Sequence, residues 1–273
     1  MTGEYAALRR RFGPDDLLPH LLRTGVDATL VIQVRADTQE TEALLGMAAD
    51  VGFIRGVVGW VDLTSATVGT EIARLRRLRG GPHLVGLRHN VADERDDQWL
   101  LRADVQHGLA EVAAAGLTFD LEVRPLHLLV AAQLAAALPH LRLVLDHLGK
   151  PNVLTGPDSE WIEGMRSLGS CPSVWAKVSG LVTEANWTSW TVDDLRPFVN
   201  HARSVFGAGR LLFGSDWPVC QLAAPYERVV SVAQELMGDL DRMARARVFL
   251  ENAQDAYGLT PQASPSAVSR QQA

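Results

Sequence analysis

The stretch RLLFGSDWPVC, residues 210–220, begins as an apolar segment and then changes abruptly into a polar loop. The apolar part passes through a Gly-Ser pair into Asp216, which a Trp-Pro pair follows. A carboxylate at the end of a buried strand can cap the next turn or helix. Alternatively, the carboxylate can point into a space that residues from several strands line together. The rest of the chain favours this second interpretation.

Short apolar segments, several rich in Val or Ile, alternate along the chain with longer segments of helical composition. A parallel sheet covered by helices produces this alternation. No glycine-rich phosphate-binding motif is present, which disfavours an open nucleotide-binding sheet. We predict strands at residues 28–34, 54–63, 84–90, 118–125, 141–151, 173–181 and 210–218.

Polar side chains stand at the C-terminal end of nearly every predicted strand. In a (β/α)8 TIM barrel these strand ends open onto one rim, where such enzymes hold their active sites. We therefore predict an α/β, TIM-barrel-like fold in a single domain over residues 1–259, with the first of its eight strands missing. The strand-end residues are Gln33, Trp60, Asp62, Arg88, His89, Arg124, Asp146, His147, Lys177 and Asp216.

Composition excludes several classes of protein. The net charge of -6 argues against a nucleic-acid partner. The sequence contains neither an apolar segment long enough to span a membrane nor a secretory signal, so we expect no membrane partner. Two cysteines without a C-x-x-C pair fit a reducing compartment, and we predict a cytoplasmic location. The polar, Pro- and Ser-rich segment 260–273 predicts a disordered tail.

Two strand ends carry groups suited to acid–base chemistry. Asp216 could take a proton from a water molecule that attacks a carbonyl carbon. His147 directly follows Asp146, so on a strand their side chains point to opposite faces. We assign His147 to the rim, as a group that polarises a carbonyl or as a metal ligand, and Asp146 to the outside. A purely structural histidine remains the alternative.

Three cations complete the predicted rim. Arg88 and Arg124 suit two-point recognition of a carboxylate or of paired hydroxyl oxygens. Lys177 lies within an apolar strand, where a cation is costly unless it points into a polar space. Each of the three could instead pair with a buried acid such as Glu122 or Asp146.

Five motifs together resemble the amidohydrolase superfamily, within the branch of sugar lactonases and 2-pyrone-4,6-dicarboxylate lactonase. The resemblance covers residues 5–259 and implies a metal-dependent-hydrolase type of TIM barrel. It implies Asp216 as the catalytic base and His147 as its catalytic partner. It further implies Arg88, Arg124, Trp60 and Lys177 as substrate-binding residues. The motifs are FGSDWPVC, LDHLGKP, GVVGWVDL, GLRHN and KVSGLVTEANW.

The sequence departs from that family at one point, because the H-x-H pair of the family's first strand is absent. We expect roughly two dozen residues, a strand and its loop, to precede Met1 in a longer form. The cofactor prediction is either none or a weakly bound divalent metal such as Zn²⁺ in that longer form. If a metal is bound, His147 and Asp216 are the expected ligands.

The function that the resemblance implies is the opening of a sugar-acid lactone, similar to L-fuconolactone, by base-assisted attack of water. The expected partner is therefore a small-molecule lactone. One alternative is a catalytically impaired or non-catalytic barrel with a ligand-binding role. Its exposed sheet edges would favour a homo-oligomer. Amide hydrolysis or decarboxylation within the same superfamily is the other alternative.

Overall fold

The computed structural model describes residues 3–260, and its centre is one sheet of seven strands that follow one another in chain order. Every strand pairs in parallel with the next. The predicted α/β barrel-like fold with seven strands is thereby confirmed. The strands are β1 Thr29–Ile32, β2 Ile54–Gly59, β3 Leu84–Asn90, β4 Thr118–Glu122, β5 Arg142–Leu145, β6 Val174–Val178 and β7 Leu211–Phe213.

The sheet is curled but open, because within residues 3–260 no pairing joins β7 to β1. Most strands are also shorter than predicted. Their polar ends have left the sheet and form turns above it, as in the 3-10 turn Asp146–Gly149 after β5. We call this end of the sheet, where the C-termini of the strands lie, the mouth.

Helices cover the outside of the sheet. The buried residues of the helix between β6 and β7 recur with the helical period, from Val192 and Leu195 to Phe198 and Val199. The helices are α1 Pro14–Thr24, α2 Thr38–Asp50, α3 Val68–Arg77, α4 Ala103–Ala114, α5 Leu128–Ala137, α6 Ser159–Gly169, α7 Val192–Phe206, α8 Tyr226–Leu236, α9 Arg242–Ala246 and α10 Asn252–Tyr257.

Inside the sheet, side chains form an apolar layer beneath a charged one. Val58, Val144 and Leu212 belong to one buried cluster with Tyr257 of α10. Because side chains alternate between the two faces of a strand, the residue two positions after Val144 also faces inward. That residue is Asp146, and it belongs to the charged layer that lies nearer the mouth.

Helix α10 closes the end of the sheet opposite the mouth. Tyr257 is 3% exposed, and its hydroxyl lies 3.0 and 2.8 Å from the two carboxylate oxygens of Asp120. The hydroxyl of Thr118 donates to the carbonyl of Ala256 at 2.6 Å. The C-terminal helix therefore contacts the charged layer from below.

Two predictions concern the chain outside this core. The predicted disordered tail, residues 260–273, lies outside the described residues except for Thr260. Within the described residues, none of the helices has the length and apolar character that crossing a bilayer requires.

Candidate active site

Asp146 lies inside the sheet, so its predicted outward position is wrong. Its side chain is 1% exposed and accepts hydrogen bonds from Lys177 and, at 3.0 Å, from Arg88. Alternation along β5 explains this placement, because Val144 already faces inward.

His147 nevertheless reaches the mouth, as predicted, because the backbone changes direction there. β5 ends at Leu145, and His147 adopts a left-handed conformation with φ 52°. This conformation costs a non-glycine residue about 1–2 kcal/mol and is common at functional sites. Gly180 makes room for the ring, since a Cβ there would lie 2.6 Å from Nδ1 of His147.

His147 and Asp216 face each other across a small gap, although they come from different strands. Nε2 of His147 lies 3.8 Å from Oδ1 of Asp216, which is too far for a hydrogen bond. Nδ1 of His147 lies 2.8 Å from the hydroxyl oxygen of Ser179 on its other side. The imidazole edge and the carboxylate thus border the same space.

Burial strengthens Asp216 as a base. It raises the pKa of the Asp216 carboxyl; His147 opposes this shift, and the charge of Asp146 adds to it. A carboxylate whose pKa is raised toward neutral accepts a proton from water more readily than an ordinary one. The site therefore places a proton acceptor beside a group that can donate a hydrogen bond.

A network of alternating charges lies beneath these two residues. Lys177 contacts Asp120 at 3.0 Å and also contacts Asp146. Burial raises the pKa of Asp120 to about 6, although Lys177 opposes the shift. The amine of Lys177 therefore lies between two buried carboxylates. The complete network comprises Asp120, Lys177, Asp146, Arg88, Glu122 and Lys150.

Arg88 belongs to the same network and is also hydrogen-bonded to Gln33, the residue that follows β1. Its guanidinium donates to the backbone carbonyl of Gln33. The side-chain amide of Gln33 donates in turn to the backbone carbonyl of Arg88 at 3.0 Å. Both residues keep an unpaired buried atom among the described residues, Nε of Arg88 and Oε1 of Gln33. The guanidinium of Arg88 is therefore held between Asp146 and Gln33.

Trp60 is held in place by His89. The indole N–H of Trp60 donates to Nδ1 of His89 at 3.0 Å, which places the proton of the neutral imidazole on Nε2. Nε2 lies 2.7 Å from a carboxylate oxygen of Glu94, and the ring stacks on Trp99 at 4.3 Å. The loop after β3 thus fixes the orientation of Trp60 at the mouth.

Arg124 lies exposed on the rim, and Glu184 in the loop after β6 is partly buried. Burial raises the pKa of the Glu184 carboxyl, and Lys150, His147 and Arg124 oppose the shift. The side chains of Arg124 and Glu184 form no hydrogen bond or ion pair within residues 3–260.

Sequence reasoning missed Ser179 and Glu184. Alternation from Lys177 predicts that Ser179 faces inward, so this residue could have been found. Glu184 lies in an irregular loop, where side chains do not alternate between two faces as they do along a strand. Asp120 was missed as well, although a carboxylate within the apolar segment TFDLE is an unusual feature.

The described residues do not provide a complete metal site. No group of three or more His, Cys, Asp or Glu side chains among them is arranged to hold an ion. His147 and Asp216 would supply two ligands, whereas catalytic zinc takes three from the protein. The predicted roles of these two residues as metal ligands stay predictions.

Replacing Ser179 with Ala tests how His147 is oriented. We expect kcat for lactone hydrolysis to fall about 10-fold, because a hydroxyl that donates to Nδ1 would keep the proton on Nε2 and orient the ring. Steady-state kinetics of the Ser179→Ala and Ser179→Thr variants measure this effect, and Thr should restore part of the rate. An unchanged kcat in Ser179→Ala would show that the 2.8 Å contact has no catalytic role.

Comparisons with known proteins show what this chain is similar to. The profile of the family Amidohydro_2, described as amidohydrolase, matches residues 1–259. An L-fucono-1,5-lactonase of Burkholderia ambifaria is 38% identical over 257 residues, which cover 92% of this chain and 87% of that protein. An L-fucono-1,5-lactonase of Burkholderia multivorans is 36% identical, with coverage of 83% and 79%. A zinc-bound amidohydrolase structure from Burkholderia multivorans superposes with a TM-score of 0.90 at 32% identity, with coverage of 95% and 93%.

Proposed function

The chain belongs to the amidohydrolase family, and on that basis we propose that it hydrolyses the lactone of a sugar acid, similar to L-fucono-1,5-lactone. The observation that carries the proposal is the pairing of His147 with Asp216, whose Nε2 and Oδ1 atoms lie 3.8 Å apart beside the mouth. The similarity of the chain to two L-fucono-1,5-lactonases supports this substrate class.

Asp216 acts as the general base in the proposed reaction. It takes a proton from water, and the water oxygen attacks the carbonyl carbon of the lactone. The N–H at Nε2 of His147 donates a hydrogen bond to the carbonyl oxygen, on which negative charge develops. The bond from the carbonyl carbon to the ring oxygen then breaks. The ring oxygen receives the proton held by Asp216, and the product is an open hydroxy acid.

Four residues are proposed to hold the substrate. Arg124 and Trp60 lie at the mouth and can contact the ring directly. Arg88 contacts Glu122 and Asp146 in the charged layer, and its direct contact with substrate stays a prediction. Lys177 lies in the charged layer below, where it contacts Asp120 and Asp146. A direct contact of Lys177 with substrate stays a prediction.

The cellular setting of the protein also stays a prediction. We propose a cytoplasmic location and a small-molecule partner, and we propose that the protein binds neither nucleic acid nor membrane. The composition of the chain supports this proposal. The open edges of β1 and β7 are consistent with a homo-oligomer.

A comparison of three candidate substrates, one of them a lactone, tests the proposed function. The purified protein is assayed by pH-stat with L-fucono-1,5-lactone, an aryl amide and an aromatic β-hydroxy acid. We expect acid release from the lactone well above its spontaneous hydrolysis and no turnover of the other two compounds. Turnover of the amide or decarboxylation of the acid, without lactone hydrolysis, would contradict the proposal.

A further inference from the structure

The loop that follows β6 lies directly against the catalytic histidine. Ser179 contacts Nδ1 of His147 at 2.8 Å, and Gly180 packs against the same ring. The hydroxyl of Thr183 donates to the carbonyl of Gly180 at 2.7 Å and closes a tight turn. Glu184 is the next residue, so its backbone is held close to His147.

The carboxylate of Glu184 has no partner among residues 3–260, although it is partly buried. Burial raises the pKa of this carboxylate. Lys150, His147 and Arg124 oppose the shift, and Asp216 adds to it. Partly buried carboxylates are normally hydrogen-bonded or paired, because withdrawing a charge from water is costly. A carboxylate without such a partner beside a mouth is positioned to bind a ligand.

Glu122 shows the contrast within the same site. Its carboxylate contacts Lys150 at 2.8 Å and Arg88 at 3.3 Å. Glu122 is therefore fully engaged by the protein. Glu184 has no such contact among the described residues and remains available.

Arg124 is the matching cation. Its guanidinium is exposed and also lacks a partner among the described residues. Its charge opposes the rise that burial causes in the pKa of Glu184, although the two side chains form no ion pair. A hydroxyl group can donate to a carboxylate and accept from a guanidinium at the same time. An anionic substituent would satisfy Arg124 but would be repelled by Glu184 and Asp216.

We propose that Glu184 is a specificity-determining residue, which with Arg124 binds ring hydroxyls of a neutral polyhydroxy lactone and disfavours lactones that carry a carboxylate. The inference rests on the proposed lactonase function and adds the substrate class that the site selects. It assigns Glu184 a role in substrate selection, whereas Asp216 and His147 perform the chemistry.

The test compares three lactones in wild type and in Glu184→Gln. L-fucono-1,5-lactone carries several hydroxyls, δ-valerolactone carries none, and 2-pyrone-4,6-dicarboxylate is anionic. In the variant we expect kcat/KM for the first to fall about 10-fold or more, since a hydrogen bond to a charged carboxylate is replaced by a weaker one to a neutral amide. For δ-valerolactone we expect a change of less than about 2-fold, because this ring makes no contact with Glu184.

The third lactone measures the effect of charge. We expect kcat/KM for 2-pyrone-4,6-dicarboxylate, relative to δ-valerolactone, to rise about 10-fold or more in Glu184→Gln. The control is Glu163→Gln, which removes one charge from the exposed face of α6 and should leave all three values unchanged. Equal losses on the fuconolactone and on δ-valerolactone would overturn the inference, and so would an unchanged ratio of kcat/KM between 2-pyrone-4,6-dicarboxylate and δ-valerolactone.

A binding measurement separates this inference from the proposed function. If wild type hydrolyses none of the lactones, the proposed function fails, and titration calorimetry with L-fucose decides the inference. Binding of L-fucose by wild type that is lost in Glu184→Gln would support a hydroxyl-binding role. No binding by wild type, or equal binding by the variant, would overturn it.

Discussion

Asp216→Asn is expected to lower kcat for lactone hydrolysis about 1000-fold, within the 10²- to 10⁴-fold range that general bases contribute. The amide has nearly the shape of the carboxylate but cannot accept the proton of the attacking water. Binding should be little changed, so KM should stay within about 3-fold of wild type. Steady-state kinetics and circular dichroism together measure the loss and confirm that the fold is intact.

The pH profile of wild type provides a second measure of the same residue. Because burial raises the pKa of Asp216 above its ordinary value of 3.8, kcat/KM should fall on the acid side at a pH above 3.8. The control Asp239→Asn removes an exposed aspartate that is paired with Arg203, and it should keep the rate and profile of wild type. A rate in Asp216→Asn within 10-fold of wild type would end the assignment of Asp216 as the base.

Lys177→Met is expected to have the largest effect on stability. Methionine fills the space of the lysine stem but leaves Asp120 and Asp146 buried without their shared cation. Removing one partner of a buried ion pair costs about 3–5 kcal/mol of unfolding free energy. Urea unfolding at pH 7 measures the loss.

The pH dependence of this loss follows from Asp120. Burial already raises its pKa to about 6 in the folded protein, above the value of about 3.9 expected in the unfolded chain. Without Lys177 the folded protein can lower the cost by protonating Asp120, so the deficit should be smaller at pH 5 than at pH 8.

A second variant keeps the stability prediction testable if Lys177→Met fails to fold. The double variant Lys177→Met with Asp120→Asn removes one uncompensated charge and should recover a large part of the loss. Lys150→Met serves as the matched control, because its partner Glu122 lies nearer solvent and keeps a contact with Arg88. Stability of Lys177→Met within about 1 kcal/mol of wild type would show that the buried network is not held by this lysine.

The strands and the convergence of their ends follow from the sequence because both depend on periodicity. Val144 and Leu212 alternate with outward residues, and a parallel sheet places all strand ends at one side. The same alternation would have placed Asp146 correctly had Val144 been taken as the reference. Placing His147 inside by alternation requires the strand to continue through residue 147, whereas β5 ends at Leu145.

The local turn after β5 could not be predicted from the residue types. His147 and Lys150 adopt positive φ values of 52° and 50°, and such values ordinarily indicate glycine or asparagine. Tertiary contacts impose them: Trp161 donates to the carbonyl of Leu148 at 2.7 Å from a different helix. Glu184 was missed for a similar reason, since its position depends on a loop that packs against a distant strand end.

The most direct test of the central claim is a crystal structure of Asp216→Asn with L-fucono-1,5-lactone bound. The account predicts the lactone in the mouth, with its carbonyl oxygen within hydrogen-bond distance of Nε2 of His147 and its carbonyl carbon facing residue 216. A lactone bound elsewhere, or one whose carbonyl points away from His147, would contradict it.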